Sequence, residues 1–274
     1  MSNRPKLSIY MLTFNNDRTV ERALQSVVGF ADEIIVVDSL STDKTPEIAR
    51  KYASRFIQRP WPGFRDQYQF ASEQCTGEWV MFIDADEEIP EVLRAEILAE
   101  LENNAARPET ERVAGYEVHR RTFFLGRWIR HGGWVPDHET RLYDPRRGGW
   151  KGALHAKVHV DGRVAHLGHV YYHYTYKDIG DQIKTIDRYS DTDSDDQIKA
   201  GKPFALVKLL VNPLWRFGRD YVLKRGFLDG MPGFIIAVNT AFYVFVKNAR
   251  LWEKRRVSRQ FPEKGFYGED LRGS

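Results

Sequence analysis

The first hundred residues alternate strand signals with helix signals, and this alternation restricts the fold more than any other feature of the chain. Apolar runs typical of buried strands are separated by segments with helical periodicity and by short connections. Such alternation predicts right-handed βαβ units around a mostly parallel sheet, and hence an α/β fold. The predicted strands span residues 7–14, 33–38, 55–58 and 78–83, and the predicted helices span residues 17–28, 45–53 and 64–74.

Two acids, Asp84 and Asp86, directly follow the last of these strands. The carboxyl edge of an open α/β sheet is where ligands bind, so the acids concentrate negative charge at a predicted site. Carboxylate oxygens suit Mg²⁺ or Mn²⁺, and substrate phosphates complete the coordination of these ions. The pair therefore predicts a divalent cation that carries a diphosphate. In the alternative interpretation, the acids of residues 86–88 cap a helix over residues 90–102.

The pattern changes after residue 104. We predict a strand over residues 115–124, an irregular aromatic and glycine-rich stretch over residues 125–150, and a polar helix over residues 178–200. All eight histidines lie between His119 and His173, but no H-E-x-x-H sequence occurs, and Cys75 is the single cysteine. A structural zinc site is therefore not expected, and no intrachain disulfide can form.

The C-terminal region is basic and contains two apolar blocks. Residues 202–259 include twelve Lys or Arg and three Asp or Glu, a net charge of +9, while the rest of the chain carries −6. The blocks span residues 204–210 and 233–246, and the longer one, with 14 residues, is shorter than the roughly 20 needed to span a bilayer. Two interpretations remain open: basic amphipathic helices on an anionic membrane surface, or helices packed on a catalytic core.

This composition predicts two domains and a location. We expect a catalytic domain over residues 1–200 and a basic helical extension over residues 201–274. The first residues are polar and lack the apolar region of a signal peptide, so we expect a cytoplasmic protein, peripheral on the inner membrane. The apolar blocks favour a membrane over nucleic acid as the partner of the basic region, and no nucleic acid is expected.

Three motifs in chain order give the acid pair its context. Thr13-Phe14-Asn15-Asn16 follows the first predicted strand, V-D-S-L-S-T-D-K-T of residues 37–45 follows the second, and G-E-W-V-M-F-I-D-A-D of residues 77–86 contains the fourth. This series resembles the family 2 glycosyltransferases that use nucleotide sugars. The resemblance implies a single Rossmann-like, nucleotide-sugar-binding domain of the GT-A type and an inverting, metal-dependent transfer.

The resemblance also implies roles for single residues. The cation, Mg²⁺ or Mn²⁺, would be bound by Asp86, with His155 or His173 completing its shell, although a structural hydrogen bond is the alternative for either histidine. The donor would be a UDP-sugar, and its departing diphosphate would be stabilised by the cation. The residues implied to bind the donor nucleotide are Thr13, Asn15, Asp38, Gln67 and Asp84.

Motifs further along the chain narrow the subgroup. Residues 134–143, 150–155 and 173–176 resemble the bacterial lipopolysaccharide core β-1,4-glucosyltransferases, which implies glucose as the sugar and a saccharide or glycolipid as the acceptor. Ala156 stands where that pattern has a glutamate, and Tyr68 and Gln69 replace a basic residue and an asparagine. The donor preference could therefore differ from the UDP-glucose of the subgroup.

Inversion at a sugar carbon requires a base that takes the proton of the acceptor hydroxyl. Asp137 is the first candidate because the family pattern has an acid at that position, and Glu139 is the alternative on the same loop. The structural interpretation of Asp137 is an ion pair with Arg141. Two other functions remain as alternatives: a nucleotidyltransferase, for which the chain lacks a glycine-rich phosphate loop, and a non-catalytic membrane-binding module.

Overall fold

The structure, a computed structural model, describes residues 4–152 and 156–256. Its strands are β1 (Leu7–Thr13), β2 (Glu33–Asp38), β3 (Arg55–Gln58), β4 (Trp79–Phe82), β5 (Glu87–Glu88), β6 (Gly115–Phe124), β7 (Arg127–Trp128), β8 (His138–Tyr143), β9 (Gly148–Lys151), β10 (Lys157–Val160) and β11 (Val164–His173). Its α-helices are α1 (Val20–Gln25), α2 (Thr45–Tyr52), α3 (Phe64–Glu73), α4 (Glu91–Ala106), α5 (Ile179–Lys199), α6 (Leu206–Gly218) and α7 (Gly230–Arg256).

The central sheet has nine strands, with the order β3-β2-β1-β4-β8-β6-β11-β5 and with β7 paired to β6. Strands β3, β2, β1 and β4 are parallel to one another, as the strand and helix alternation predicts. Strand β8 pairs antiparallel with both β4 and β6, while β6 and β11 are parallel. The fold is therefore α/β with a mixed sheet, and the predicted fold class is confirmed.

Both faces of the sheet are buried, and the side chains of each central strand alternate between them. On β1, Ile9 and Met11 pack on the face covered by α1 and α4, whereas Tyr10 packs on the opposite face with α3 and β9. Helix α4 buries Leu93, Ile97 and Leu101 at a spacing of four residues, which gives one continuous apolar stripe. This two-sided burial explains why the central parallel strands β1, β2 and β4 are mainly apolar.

The structure corrects two sequence predictions. Residues 125–150 are not irregular, because they contain β7, β8 and the start of β9, and β8 occupies the middle of the sheet. The acids of residues 86–88 do not cap a helix: Glu87 and Glu88 form β5, which pairs with β11, and α4 begins at Glu91 without a side-chain cap.

The chain divides into two compact units, the first formed by Met1–Arg130 and Trp134–Lys177 and the second by His131–Gly133 and the residues from Asp178 onward. The second unit contains α5, α6 and α7. The domain boundary expected after residue 200 stays a prediction, although α5 packs with α7 in the second unit. By length and composition alone, the segment Gly226–Arg256 is long and apolar enough to cross a membrane, with a mean hydropathy of 1.3.

Candidate functional site

The loops after β1 and β2 are joined by side chains at the carboxyl edge of the sheet. Asn15 has a positive φ of 52°, a conformation that asparagine adopts more readily than most residues. Its backbone N–H donates to Ser41 Oγ at 2.9 Å, and its Oδ1 accepts from the N–H of Thr42 at 2.9 Å. Asn15, which is predicted to bind the donor nucleotide, therefore connects the two loops.

Asp38 is fully buried at the end of β2. Its Oδ1 accepts from Thr13 Oγ1 at 2.9 Å and from Ser41 Oγ, and its Oδ2 accepts from the N–H of Ser41 and from Gln58 Nε2, both at 2.9 Å. These four bonds use the four acceptor positions of a carboxylate. Asp38 and Thr13 thus form the buried base of the site. A ligand could bind Asp38 only by replacing one of its four hydrogen-bond donors.

Gln67 lies on the buried side of α3 below the same loops. Its Nε2 donates to Ser39 Oγ at 3.1 Å, and its Oε1 has no hydrogen-bond partner among the described residues. A buried acceptor without a donor is costly. Gln67, which is predicted to bind the donor nucleotide, therefore has a side-chain oxygen that can still accept a hydrogen bond.

Asp84 follows β4 and is held from two sides. Tyr68 donates to Asp84 Oδ1 at 2.5 Å, and Arg141 Nη1 lies 3.4 Å from Asp84 Oδ2. Burial raises the pKa of Tyr68 well above its ordinary value, and the neighbouring Asp84 raises it further. Tyr68 therefore remains a hydrogen-bond donor at physiological pH and orients the carboxylate. The family pattern has a basic residue where this tyrosine stands.

Asp86 faces a histidine of β11. His173 Nε2 lies 3.3 Å from Asp86 Oδ2, and His173 Nδ1 lies 3.4 Å from Thr122 Oγ1. Among the described residues, no group of three or more His, Cys, Asp or Glu side chains could hold a metal ion by itself. Asp86 and His173 offer two ligands, and Mg²⁺ or Mn²⁺ often binds through one or two carboxylates and takes its remaining ligands from phosphates and water. His155 lies outside the described residues.

Glu87 and Arg141 form a buried ion pair behind the acid pair. Arg141 donates to Glu87 Oε2 at 2.9 Å and to Glu87 Oε1 at 3.0 Å. Burial raises the pKa of Glu87, and the adjacent guanidinium of Arg141 opposes this shift and stabilises the carboxylate. Glu87 also accepts from the backbone N–H of Asp84 at 2.9 Å. The pair therefore sets the position of Asp84 through both the backbone and the side chain of that residue.

The two candidate bases have different partners. Asp137 Oδ2 accepts from Arg120 Nε at 2.8 Å and a second time from Arg120 Nη2. The ion pair expected between Asp137 and Arg141 is absent from the described residues: Arg141 Nη2 pairs with Glu139 at 2.7 Å instead. One guanidinium group thus contacts both Glu139 and Asp84. Both candidates keep about a third of their side chains exposed, 30% for Asp137 and 35% for Glu139.

Four residues of this network were not among the predicted site residues: Tyr68, Glu87, Arg120 and Arg141, the last expected only as an ion-pair partner of Asp137. The sequence provided a reason to examine Tyr68, because this residue departs from the family pattern at its position. For Glu87 the sequence was misleading, since an acid just before a helix is typical of a helix cap. Nothing in the local sequence marks Arg120, whose partners lie on β5 and just before β8.

Residues 8–151 match the family model described as Glycosyl transferase family 2. A glycosyltransferase of Rickettsia typhi, described as uncharacterized, is 30% identical over 264 residues, which cover 93% of this chain and 89% of the relative. The lipopolysaccharide core biosynthesis glycosyltransferase LpsC of Rhizobium meliloti is 31% identical over 265 residues, which cover 92% of this chain and 93% of LpsC.

The fold is similar to that of a solved structure, the mannosyltransferase PcManGT from Pyrobaculum calidifontis in complex with GDP-Man and Mn²⁺. The TM-score is 0.53 at 16% identity, and the match covers 93% of this chain and 89% of PcManGT. This likeness agrees with the predicted GT-A type of fold.

Proposed function

Since this chain belongs to glycosyl transferase family 2, we propose that it transfers a sugar, glucose as the first candidate, from a UDP-sugar to a saccharide or lipid-linked saccharide with inversion. One observation carries the proposal: Thr13, Asp38 and Asp84 stand at the ends of three adjacent parallel strands. Their side chains therefore share the sheet edge at which α/β folds bind nucleotides. Neither a nucleotidyltransferase nor a non-catalytic module is supported by the relatives.

In this reaction an acceptor hydroxyl oxygen bonds to the anomeric carbon, the bond from that carbon to the phosphate oxygen breaks, and UDP leaves. Thr13, Asn15, Asp38 and Gln67 would bind the nucleotide, with a nucleotide donor group replacing one of the four present donors to Asp38. Asp84, oriented by Tyr68 and Arg141, would accept from the ribose hydroxyls. Fixing the donor in this way reduces the entropy lost on reaching the transition state.

The proposal includes a divalent cation, Mg²⁺ or Mn²⁺. Asp86, with His173 or His155, would hold it. The cation, when bound, supplies positive charge that stabilises the departing diphosphate. The contact of His173 with Asp86 supports His173 as the second ligand.

The base that receives the proton of the acceptor hydroxyl would be Asp137 or Glu139. The acid at this position in the family pattern supports Asp137. The contact of Arg141 with both Glu139 and Asp84 supports Glu139, because it brings this carboxylate toward the candidate donor site. A partly exposed carboxylate is accessible to an acceptor hydroxyl, which is required of a general base.

A glycolipid acceptor such as the lipopolysaccharide core is supported by the name of the relative LpsC. The helices α6 and α7 support a peripheral position on the cytoplasmic face of the inner membrane. On α6, Val207, Leu214 and Trp215 are at least 60% exposed. Exposed apolar side chains next to a basic sequence are typical of helices that lie on an anionic membrane surface.

The test is a screen of UDP-sugars for Mn²⁺-dependent hydrolysis or transfer, repeated with Asp86→Asn. We expect at least one UDP-sugar to be consumed, and the substitution to lower the rate about 100-fold or more by weakening cation binding. Asp161→Asn is the control, because Asp161 is an exposed acid in the turn after β10. The proposal fails if no UDP-sugar is bound or consumed in the presence of Mn²⁺.

A further inference from the structure

A cavity of about 540 Å³ opens next to the acid pair, within the first compact unit. Aromatic rings and cations line it, and no carboxylate does so among the described residues. The main lining residues are Trp128, Tyr174, Tyr176, Arg18, Arg22 and Lys177. We refer to it as the aromatic–cationic pocket.

The aromatic–cationic pocket is attached directly to the candidate cation site. The backbone N–H of Tyr174 donates to the carbonyl oxygen of Asp86 at 2.8 Å. Arg18, in the turn that precedes α1, donates to the carbonyl oxygens of Tyr174 and Thr175 at 3.4 and 3.2 Å. A molecule in this pocket would therefore lie beside the residues proposed to hold the cation and the donor.

The walls of the pocket offer two kinds of recognition. The rings of Trp128 and Tyr174, whose centroids are 5.9 Å apart, line the cavity and add apolar surface against which the C–H groups of a sugar ring can pack. Arg22 stacks on Tyr174, with its guanidinium carbon 4.3 Å from the ring centroid. Stacking leaves the N–H groups at the edge of the guanidinium able to donate to an anion.

We propose that the aromatic–cationic pocket is an acceptor subsite for a saccharide that carries an anionic substituent, a carboxylate or a phosphate. The proposal rests on the proposed function, because it assigns the acceptor of the same transfer. The cations would bind the anionic group while the rings bind the sugar face. A neutral saccharide would leave the cations unused and would bind more weakly.

The experiment measures the quenching of tryptophan fluorescence by four probes: methyl glucoside, glucose 6-phosphate, glucuronate and inorganic phosphate. We expect an anionic sugar to bind at least about ten times more tightly than methyl glucoside, the difference that one charge-assisted hydrogen bond produces. The proposal is supported if either anionic sugar binds more tightly than methyl glucoside, and the tighter of the two shows whether the pocket prefers a phosphate or a carboxylate. If inorganic phosphate binds as tightly as glucose 6-phosphate, the pocket does not recognise the sugar and the proposal is wrong.

Arg22→Gln should weaken the binding of the anionic sugars about tenfold and leave that of methyl glucoside unchanged. Arg50→Gln is the matched control, because Arg50 makes the same kind of stack, with its guanidinium carbon 4.3 Å from the centroid of Phe56 on β3. Lys177→Gln is a second variant that keeps the stack of Arg22 on Tyr174, and melting temperatures check the folding of all three. Unchanged affinity in both pocket variants contradicts the proposal.

The affinity of UDP with Mn²⁺, measured in parallel, separates the two proposals. If UDP binds and the anionic sugars do not, the acceptor subsite fails while the proposed function stands. If Arg22→Gln weakens UDP as much as the anionic sugars, the pocket serves the donor and the acceptor assignment is wrong. If UDP does not bind to the wild-type chain at all, the proposed function itself fails.

Discussion

At the scale of single residues, Arg141 organises the candidate site. Its guanidinium group contacts the carboxylates of Glu87, Asp84 and Glu139 and lies 4.0 Å from the ring centroid of Phe82. The side chain is fully buried, so its charge depends on these partners for stabilisation. A planar guanidinium can bind several carboxylates at once because its N–H groups point outward in one plane.

Arg141→Lys should destabilise the fold by about 3 kcal/mol, because an ammonium group cannot reproduce the bidentate pair with Glu87. Urea unfolding measures the change. Arg146→Lys is the control: Arg146 pairs with Asp144, but its side chain is 73% exposed, so we expect a change within about 0.5 kcal/mol. Equal effects of the two substitutions would show that the buried network contributes little to stability.

The candidate bases give a second prediction at this scale. If Asp137 is the base, Asp137→Asn lowers kcat by about 100-fold or more, whereas Glu139→Gln keeps most of the activity. The reverse result assigns the base to Glu139. UDP binding, measured by calorimetry, should be unchanged in the variant that lacks the base. If neither substitution lowers kcat, neither residue is the base.

At the scale of elements, the parallel strands were predictable and β8 was not. Strands β1, β2 and β4 are buried on both faces, so each has a mainly apolar sequence. Strand β8, His138–Tyr143, begins with four polar residues, and its Arg141 is buried only because Glu87 and Glu139 neutralise it. Periodicity alone cannot detect a strand whose buried side chain is charged.

The hairpin between β6 and β7 gives a prediction at this scale. Leu125 and Gly126 are its two loop residues, with φ of 46° and 82°, and a leucine in the left-handed region is strained. Leu125→Asn should stabilise the fold by about 1 kcal/mol, since asparagine tolerates this conformation. Urea unfolding provides the measurement. Val92→Asn, at an exposed position of α4, should give no gain, and a gain at both positions would contradict the argument.

At the scale of the whole molecule, charge is distributed unevenly along the chain. Residues 202–259 carry a net charge of +9, and the rest of the chain carries −6. The first apolar block overlaps the start of α6, and the second lies within α7, which is longer than the block, with 27 residues. Exposed apolar side chains on these helices, Leu210, Leu214 and Phe242 among them, remain available to a lipid surface.

The full chain should therefore sediment with vesicles that contain anionic lipids, and less with zwitterionic vesicles or at high salt, which screens the charges. Leu214→Asp should reduce binding about tenfold or more, because it places a charge on the most exposed apolar position of α6. Val92→Asp on α4 is the control. Binding that does not depend on lipid charge, salt or Leu214 would contradict a peripheral membrane site.

The amino-acid sequence by itself determined the parallel part of the sheet, the family and the position of Asp84 and Asp86 at a strand end. These depend on local periodicity and on motifs within short segments. The tertiary structure decided which side chains contact one another: Tyr68 and Arg141 contact Asp84, and His173 contacts Asp86. It also decided which aromatic rings and cations line the aromatic–cationic pocket. Such contacts join residues that are separated in the chain. The pairing of β8 with β4 brings Arg141 to Asp84, and the pairing of β11 with β5 brings His173 near Asp86.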